Sequence, residues 1–136
     1  LATMSADYSP TPLARKLGLK GGHRLELIGA PSGWNVDGLP DGVIVSCRRS
    51  SRVDVLVAFF RELSRLERDV VGLATAIAPN GSLWLAWPRR AAGRTGDITE
   101  HELRRVALPL GLVDVKVAAL DDDWSGLKFV WRKELR

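Results

Sequence analysis

The sequence predicts an α/β sandwich built on a mostly parallel sheet. Three observations carry that expectation. The first is residues 82–90, SLWLAWPRR, in which five consecutive apolar residues, Leu83 to Trp87, lie between the turn signal Pro79-Asn80-Gly81 and Pro88. Such a run is too short for an ordinary helix and has the composition of a central strand buried on both faces. The second is the change of period just before it. Phe59, Leu63, Leu66, Val70, Leu73, Ala74 and Ile77 recur at three- and four-residue spacing. That spacing makes an amphipathic helix with Arg61, Glu62, Arg65, Arg68 and Asp69 on its wet face. The third is the end of the chain. Val113, Val115 and Val117 alternate with Asp114 and Lys116, and Leu127, Phe129 and Trp131 alternate in turn, across the link DDDWSG. Alternation on both sides of a short polar link predicts an antiparallel hairpin.

The remaining elements follow in order. Residues 1–10 are small and polar and predict a flexible N-terminal arm. Residues 11–136 then form a single domain. Thr11-Pro12 opens a short helix carrying Leu13, Ala14 and Leu17 on one face, with Gly18 to stop it. Residues 25–30 (LELIGA) read as the first strand, leading into Pro31-Ser32-Gly33-Trp34. Residues 35–42 carry two glycines and a proline and should be irregular. Val43-Ile44-Val45 is a short strand, and residues 53–59 (VDVLVAF) are a longer one in which Asp54 belongs near the sheet end. The amphipathic helix spans residues 60–78, and the turn and the central strand follow. Thr99 with Glu102 three residues later is a capping box, so a helix runs from about Glu100 to Leu108 and stops at Pro109 and Gly111. Under the right-handed crossover rule this order gives a Rossmann-like three-layer sandwich, its mostly parallel sheet closed by an antiparallel C-terminal hairpin.

With 136 residues the chain suits one domain with its own core. Its 46% hydrophobic and 26% charged residues are those of an ordinary globular protein. The net charge of +4 and a pI near 9.7 favour an acidic partner without singling out nucleic acid. One cysteine, Cys47, allows no internal disulfide and no cysteine-based zinc site. A cytoplasmic location is the expectation. No apolar run approaches the roughly 18 residues of a membrane span, and the N-terminus lacks a signal-peptide pattern.

The architecture invites one comparison. LELIGAPSG resembles the first motif of class I methyltransferases, a strand followed by G-x-G-x-G, with Gly29 and Gly33 on the outer glycines. Three features depart from it. Pro31 replaces the middle glycine. Glu26 sits one position early and so should face the opposite side of the sheet. No acid follows the second strand, where Ser46, Cys47 and Arg48 stand instead. These departures point away from S-adenosylmethionine, and no cofactor is expected. A second resemblance covers nearly the whole chain, in TPLARKLGL, GHRLELIGAP, LWLAWPRR, DITE, VALPLGLVDVKVAALDDDWSGL and VWRKE. There the chain resembles a family of small actinobacterial proteins of unknown function. That resemblance implies a degenerate methyltransferase-like fold and brings no reaction with it.

Function must then come from the residues. In a parallel sheet the carboxyl ends of the strands share one edge, where such folds bind ligands. The loops and the hairpin tip bring Trp34, Arg89, Arg90, Asp122 and Trp124 to that edge, so these five define a candidate groove. Ser32, Arg94, Asp121, Asp123 and Ser125 lie nearby in the same loops. Either the aspartates neutralise the arginines and the indoles cap the sheet, or the group binds a planar or anionic ligand through stacking and bidentate contacts. The three adjacent aspartates lack calcium-loop spacing and predict no metal site. His23 and His101 read as surface histidines, and Cys47 as a small hydrophobe at a strand end. Neither Gly-x-Ser-x-Gly nor a Walker loop is present. The expected function is a non-catalytic methyltransferase-like domain that binds a small ligand or a protein partner. The alternatives are a divergent S-adenosylmethionine-dependent methyltransferase and a nucleic-acid-associated module. No membrane partner is expected, and a homodimer is compatible with the sequence.

Overall fold

The computed structural model describes residues 11–89 and 96–136. The arm expected at residues 1–10, and Arg90 and Arg94, lie outside the described residues. Six strands form one sheet: β1 (Arg24–Ile28), β2 (Ile44–Ser46), β3 (Val53–Phe59), β4 (Ile77–Pro88), β5 (Leu112–Ala119) and β6 (Trp124–Trp131). Their order is β2-β1-β3-β4-β6-β5. The first four are parallel, and β6 runs antiparallel to both β4 and β5. β5 therefore points the same way as β1 to β4, and the β5–β6 tip returns to their carboxyl edge.

Among the described residues three α-helices pack on the sheet: α1 (Leu13–Leu17), α2 (Leu63–Ala76) and α3 (Glu100–Ala107). The two faces are covered unequally. Leu66, Val70 and Leu73 of α2 and Leu103 of α3 bury Leu56, Leu83, Leu85 and Phe129 on one face. On the other face α1 and an irregular segment containing Val36 cover Leu25, Val57 and Trp84. Trp84 and Trp87 thus lie on opposite faces of β4 and both are buried, as three-residue spacing in a strand requires. The Trp84 Nε1–H donates to the carbonyl of Leu17 at 3.3 Å. One bond thereby satisfies a buried indole and an orphan carbonyl at the end of α1. Among the described residues no helix is long and apolar enough to cross a membrane.

Local chemistry explains most boundaries. The Thr99 side chain accepts from the Glu102 N–H and opens α3, as its capping motif requires. Asp54 sits in the first turn of β3, where its carboxylate accepts from the Arg24 N–H at 2.8 Å and finishes the adjacent start of β1. Arg104 bonds both Glu100 and Asp114, so it ties α3 to β5.

Four sequence expectations are corrected. Pro79-Asn80-Gly81 is not a turn between elements. It lies inside β4 as an irregularity, since Val53 pairs with Ile77 while Val55 already pairs with Ser82. A Cβ on Gly81 would stand 2.6 Å from the Val53 carbonyl, so only glycine permits this approach. The long helix begins at Leu63, not Phe60, because the Phe60 N–H is bonded to the Ala86 carbonyl across the sheet edge. Cys47 is exposed just past the end of β2, a three-residue edge strand, and is not buried as a small hydrophobe. In β5 the strict alternation fails. The pairing skips from Asp114 to Lys116, Val115 is the extra residue, and Val115 and Val117 are both exposed on this outer strand.

Lys116 and Lys128 are direct partners across β5 and β6. Like charges in that position repel. Burial, and then the neighbouring Lys116 charge, hold the Lys128 amine below the usual lysine value of 10.5. A depressed lysine pKa means that the folded state pays a penalty whenever the amine is charged. That penalty is full below the folded-state pKa and disappears above the unfolded one. Lys128→Met should therefore raise resistance to urea at neutral pH. The gain should shrink as pH rises through the depressed pKa toward 10.5, and denaturation curves across that range read it directly.

Candidate functional site

The site is assembled at the carboxyl edge from three connections. The first follows β1. Gly29 adopts φ +74°, and a Cβ there would lie 3.1 Å from the Phe59 carbonyl. Glycine is therefore required both for the turn and for the close approach to β3. The Trp34 N–H closes a tight turn on the Pro31 carbonyl at 3.0 Å, which folds the Trp34 indole back over the sheet edge. The second connection joins β3 to α2. Phe59 ends the strand, and Arg61 lies in the link before the helix. The third is the β5–β6 tip, which delivers Trp124 opposite Pro88 of β4.

These pieces converge on Phe59. The Trp34 ring meets it edge-on at 4.8 Å, and the Trp124 ring does so from its other neighbour at 5.1 Å. Edge-to-face contacts of this kind add roughly 0.5–1.5 kcal/mol each beyond burial. The Arg61 guanidinium stands over the Trp124 ring, 4.8 Å from its centre, a cation–π arrangement. Asp121 fastens the parts together. One carboxylate oxygen accepts from the N–H groups of Asp123 and Trp124, at 2.7 and 2.8 Å. The other accepts from the Trp34 indole at 2.8 Å. Arg89 joins the same tip through carbonyls: its own N–H donates to Asp123 and its guanidinium to Asp121. A cleft of about 270 Å³ opens between Ser32, Trp34, Arg61, Asp121, Asp123 and Trp124.

A second cleft, of about 460 Å³, adjoins it on the α2 side and shares Arg61 and Trp124 as walls. Its far wall is Arg49, from the link between β2 and β3. That link is anchored from below. Glu26 of β1 is 2% exposed, and its carboxylate accepts from both the N–H and the hydroxyl of Ser50. The buried acid of the first strand is thus consumed in holding an arginine-bearing loop.

Of the five residues expected at the groove, the structure brings Trp34 and Trp124 together around Phe59 and bonds Arg89 to the hairpin tip. Asp122 is exposed at that tip and does not line the cleft, because its neighbours Asp121 and Asp123 take the inward positions. Arg90 lies outside the described residues. Sequence reasoning missed Phe59 and Arg61 as members of the site. The available signal was position: Phe59 ends a strand at the carboxyl edge, and Arg61 follows it by two. Of the two histidines, His23 accepts a bond from the Lys20 N–H within its own turn, and His101 is exposed on α3.

With this geometry in view, comparison with known proteins places the chain. Residues 35–133 match DUF3052, a family of proteins of unknown function. The chain belongs to that family. No curated protein sequence is detectably similar. Solved structures share its fold at low identity. A TehB-like SAM-dependent methyltransferase from Corynebacterium glutamicum is 13% identical, with a TM-score of 0.58 over 96% of this chain and 94% of that one. A SAM-dependent methyltransferase from Aquifex aeolicus is 13% identical, with a TM-score of 0.59 over 86% of each chain. The glycopeptide N-methyltransferase MtfA, solved with sinefungin, is 11% identical, with a TM-score of 0.56 over 88% of this chain and 83% of that one. The DUF3052 chain therefore has a methyltransferase-like, Rossmann-like fold.

The Asp121 clamp is testable. Asp121→Ala removes three hydrogen bonds and should cost about 1–3 kcal/mol in urea denaturation, since each bond contributes about 1 kcal/mol net. Asp121→Asn keeps one acceptor oxygen, enough for the hairpin tip or for Trp34 but not both. It should fall between the wild type and alanine.

Proposed function

We propose that this DUF3052 protein is a non-catalytic, methyltransferase-like domain whose carboxyl-edge groove binds a small planar or anionic ligand. The observation that carries this reading is the Trp34–Phe59–Trp124 cluster, with Arg61 over one indole and an open cleft beside it. Phe59 and Trp124 are buried and support the half-buried Trp34, the ring that faces a cleft lined otherwise mainly by Ser32, Arg61, Asp121 and Asp123. One aromatic face among fixed polar groups suits a small planar, polar ligand. Asp121 and Arg89 hold those walls through bonds to the loops themselves, so the groove stands formed before a ligand arrives.

The cofactor implied by the fold is S-adenosylmethionine, and the residues at this edge do not suit it. For S-adenosylmethionine the relevant feature of this fold is a glycine loop after the first strand that lets the backbone approach the cofactor closely. Here residues 29–43 contain no helix. Pro31 removes a donor from the loop itself. The acid of β1 faces the α2 side of the sheet and is bonded to Ser50. The positions that follow β2 are Cys47 and Arg48, with no carboxylate for a ribose.

Calorimetric titration with S-adenosylmethionine and S-adenosylhomocysteine separates this reading from a divergent methyltransferase. The expected result is no saturable binding in the micromolar range. Saturable binding that Pro31→Gly leaves unchanged would show the loop argument to be wrong and favour the enzyme.

A further inference from the structure

The larger cleft carries a charge pattern that the stacking site alone does not use. Arg49, Arg61 and Arg65 all line it. Among the described residues, none of the three forms an ion pair. Two carboxylates share the lining, Glu62 and Asp69, and Asp69 already sits 3.6 Å from Arg68. Three guanidiniums against two carboxylates leave the lining with an excess of positive charge, which favours an anionic ligand.

The seat of Arg49 points the same way from an independent direction. Gly72 lies inside α2, where glycine is among the poorest helix formers. A Cβ at Gly72 would stand 2.1 Å from an Arg49 guanidinium nitrogen and 3.0 Å from its central carbon. The absent side chain is the slot in which the guanidinium lies against the helix. The buried Glu26–Ser50 contact fixes the loop that delivers it. The exposed Arg49 thus lies with its guanidinium against the helix at Gly72, while the Glu26–Ser50 contact anchors the loop that carries it.

Resting on the reading of the aromatic groove above, we propose that its ligand is a nucleoside phosphate. Its planar base stacks on the half-buried Trp34 in the first cleft, above the buried Trp124, and its phosphates meet Arg49, Arg61 and Arg65 in the adjoining one. Arginine suits phosphate because its planar fork makes two charge-assisted bonds at once. Arg61 joins the two halves, since it walls both clefts and covers the indole of Trp124.

The test is calorimetry on the full chain with ATP, GTP, CTP and UTP, with the four parent nucleosides, and with inorganic tripolyphosphate. At least one triphosphate should bind about tenfold or more tighter than its nucleoside, the worth of one good charge-assisted contact. Arg49→Gln and Gly72→Ala should each weaken that triphosphate severalfold and leave the nucleoside unchanged. Alanine is the better helix former, so loss of binding in Gly72→Ala cannot be loss of fold, and a denaturation curve verifies this. Equal affinity for nucleoside and triphosphate would overturn the phosphate inference and leave the stacking groove standing. Tripolyphosphate binding as tightly as the best triphosphate would overturn the base-stacking half. No binding by any of the nine compounds overturns the nucleoside phosphate as ligand class. A micromolar affinity for S-adenosylmethionine, tested separately, is what overturns the non-catalytic reading.

Discussion

The edge of this molecule depends on the pairing of β4 with β6. β6 enters the sheet antiparallel between β4 and β5, in register from Pro88↔Trp124 to Ser82↔Val130. That register buries Leu127 and Phe129 against α2 and α3 and leaves no freedom to slip, because a shift of one residue would turn the polar face inward. It also fixes where the strand begins. Trp124 must stand at the carboxyl edge beside the end of β4, one strand from Phe59. The link before it must then turn within four residues, 120–123. The Asp121 carboxylate makes that turn by accepting from the N–H groups of Asp123 and Trp124, and its second oxygen reaches the Trp34 indole. A core constraint on one strand is thereby passed to two loops.

The same edge shows how the chain departs from the enzymes whose fold it shares. Its first loop is held by Gly29 against β3 and then returns to β2 without a helix. The face that a helix would cover is closed instead by the five-residue α1 and by Val36. Glu26, which a shift of one position turns toward α2, becomes an anchor for the β2–β3 link. Glu26 and Gly29 at this edge both act in placing loops, and the side chains those loops carry are an indole and guanidiniums.

Much of this was legible in the residues. The apolar run of β4, the Thr99 cap and the closing hairpin each follow from local chemistry, and together they imply a mostly parallel sheet closed by a hairpin with a shared carboxyl edge. Topology puts Trp34 and Trp124 on one edge; their meeting depends on Phe59 between them. The parts that were not legible are those decided by tertiary contacts. The apolar period of α2 continues backward through Phe59 and Phe60, so sequence extends the helix two or three residues too far. Only the bond from the Phe60 N–H to the Ala86 carbonyl stops it, and that bond turns Arg61 from a wet helix face toward Trp124. Pro79-Asn80-Gly81 has the chemistry of a turn, and only the closeness of the Val53 carbonyl makes it part of a strand. Within the hairpin tip, the choice of Asp121 over Asp122 as the inward carboxylate depends on a two-residue turn geometry that composition does not encode.

The five indoles offer the most direct measurement, because they sample every environment in the molecule. Trp84 and Trp87 lie in the two core layers, Trp131 packs beside the α2–α3 face, and Trp34 and Trp124 flank Phe59 at the edge. Nuclear magnetic resonance of the ¹⁵N-labelled chain resolves their side-chain N–H signals one by one. In titrations with ATP, GTP, CTP and UTP in turn, the signals of Trp34 and Trp124 should move saturably with at least one nucleotide while that of Trp84, bonded to the Leu17 carbonyl, stays in place. Saturable shifts at Trp131, Trp84 or Trp87 with none at Trp34 and Trp124, or no shift at Trp34 and Trp124 with any of the four, would contradict the account.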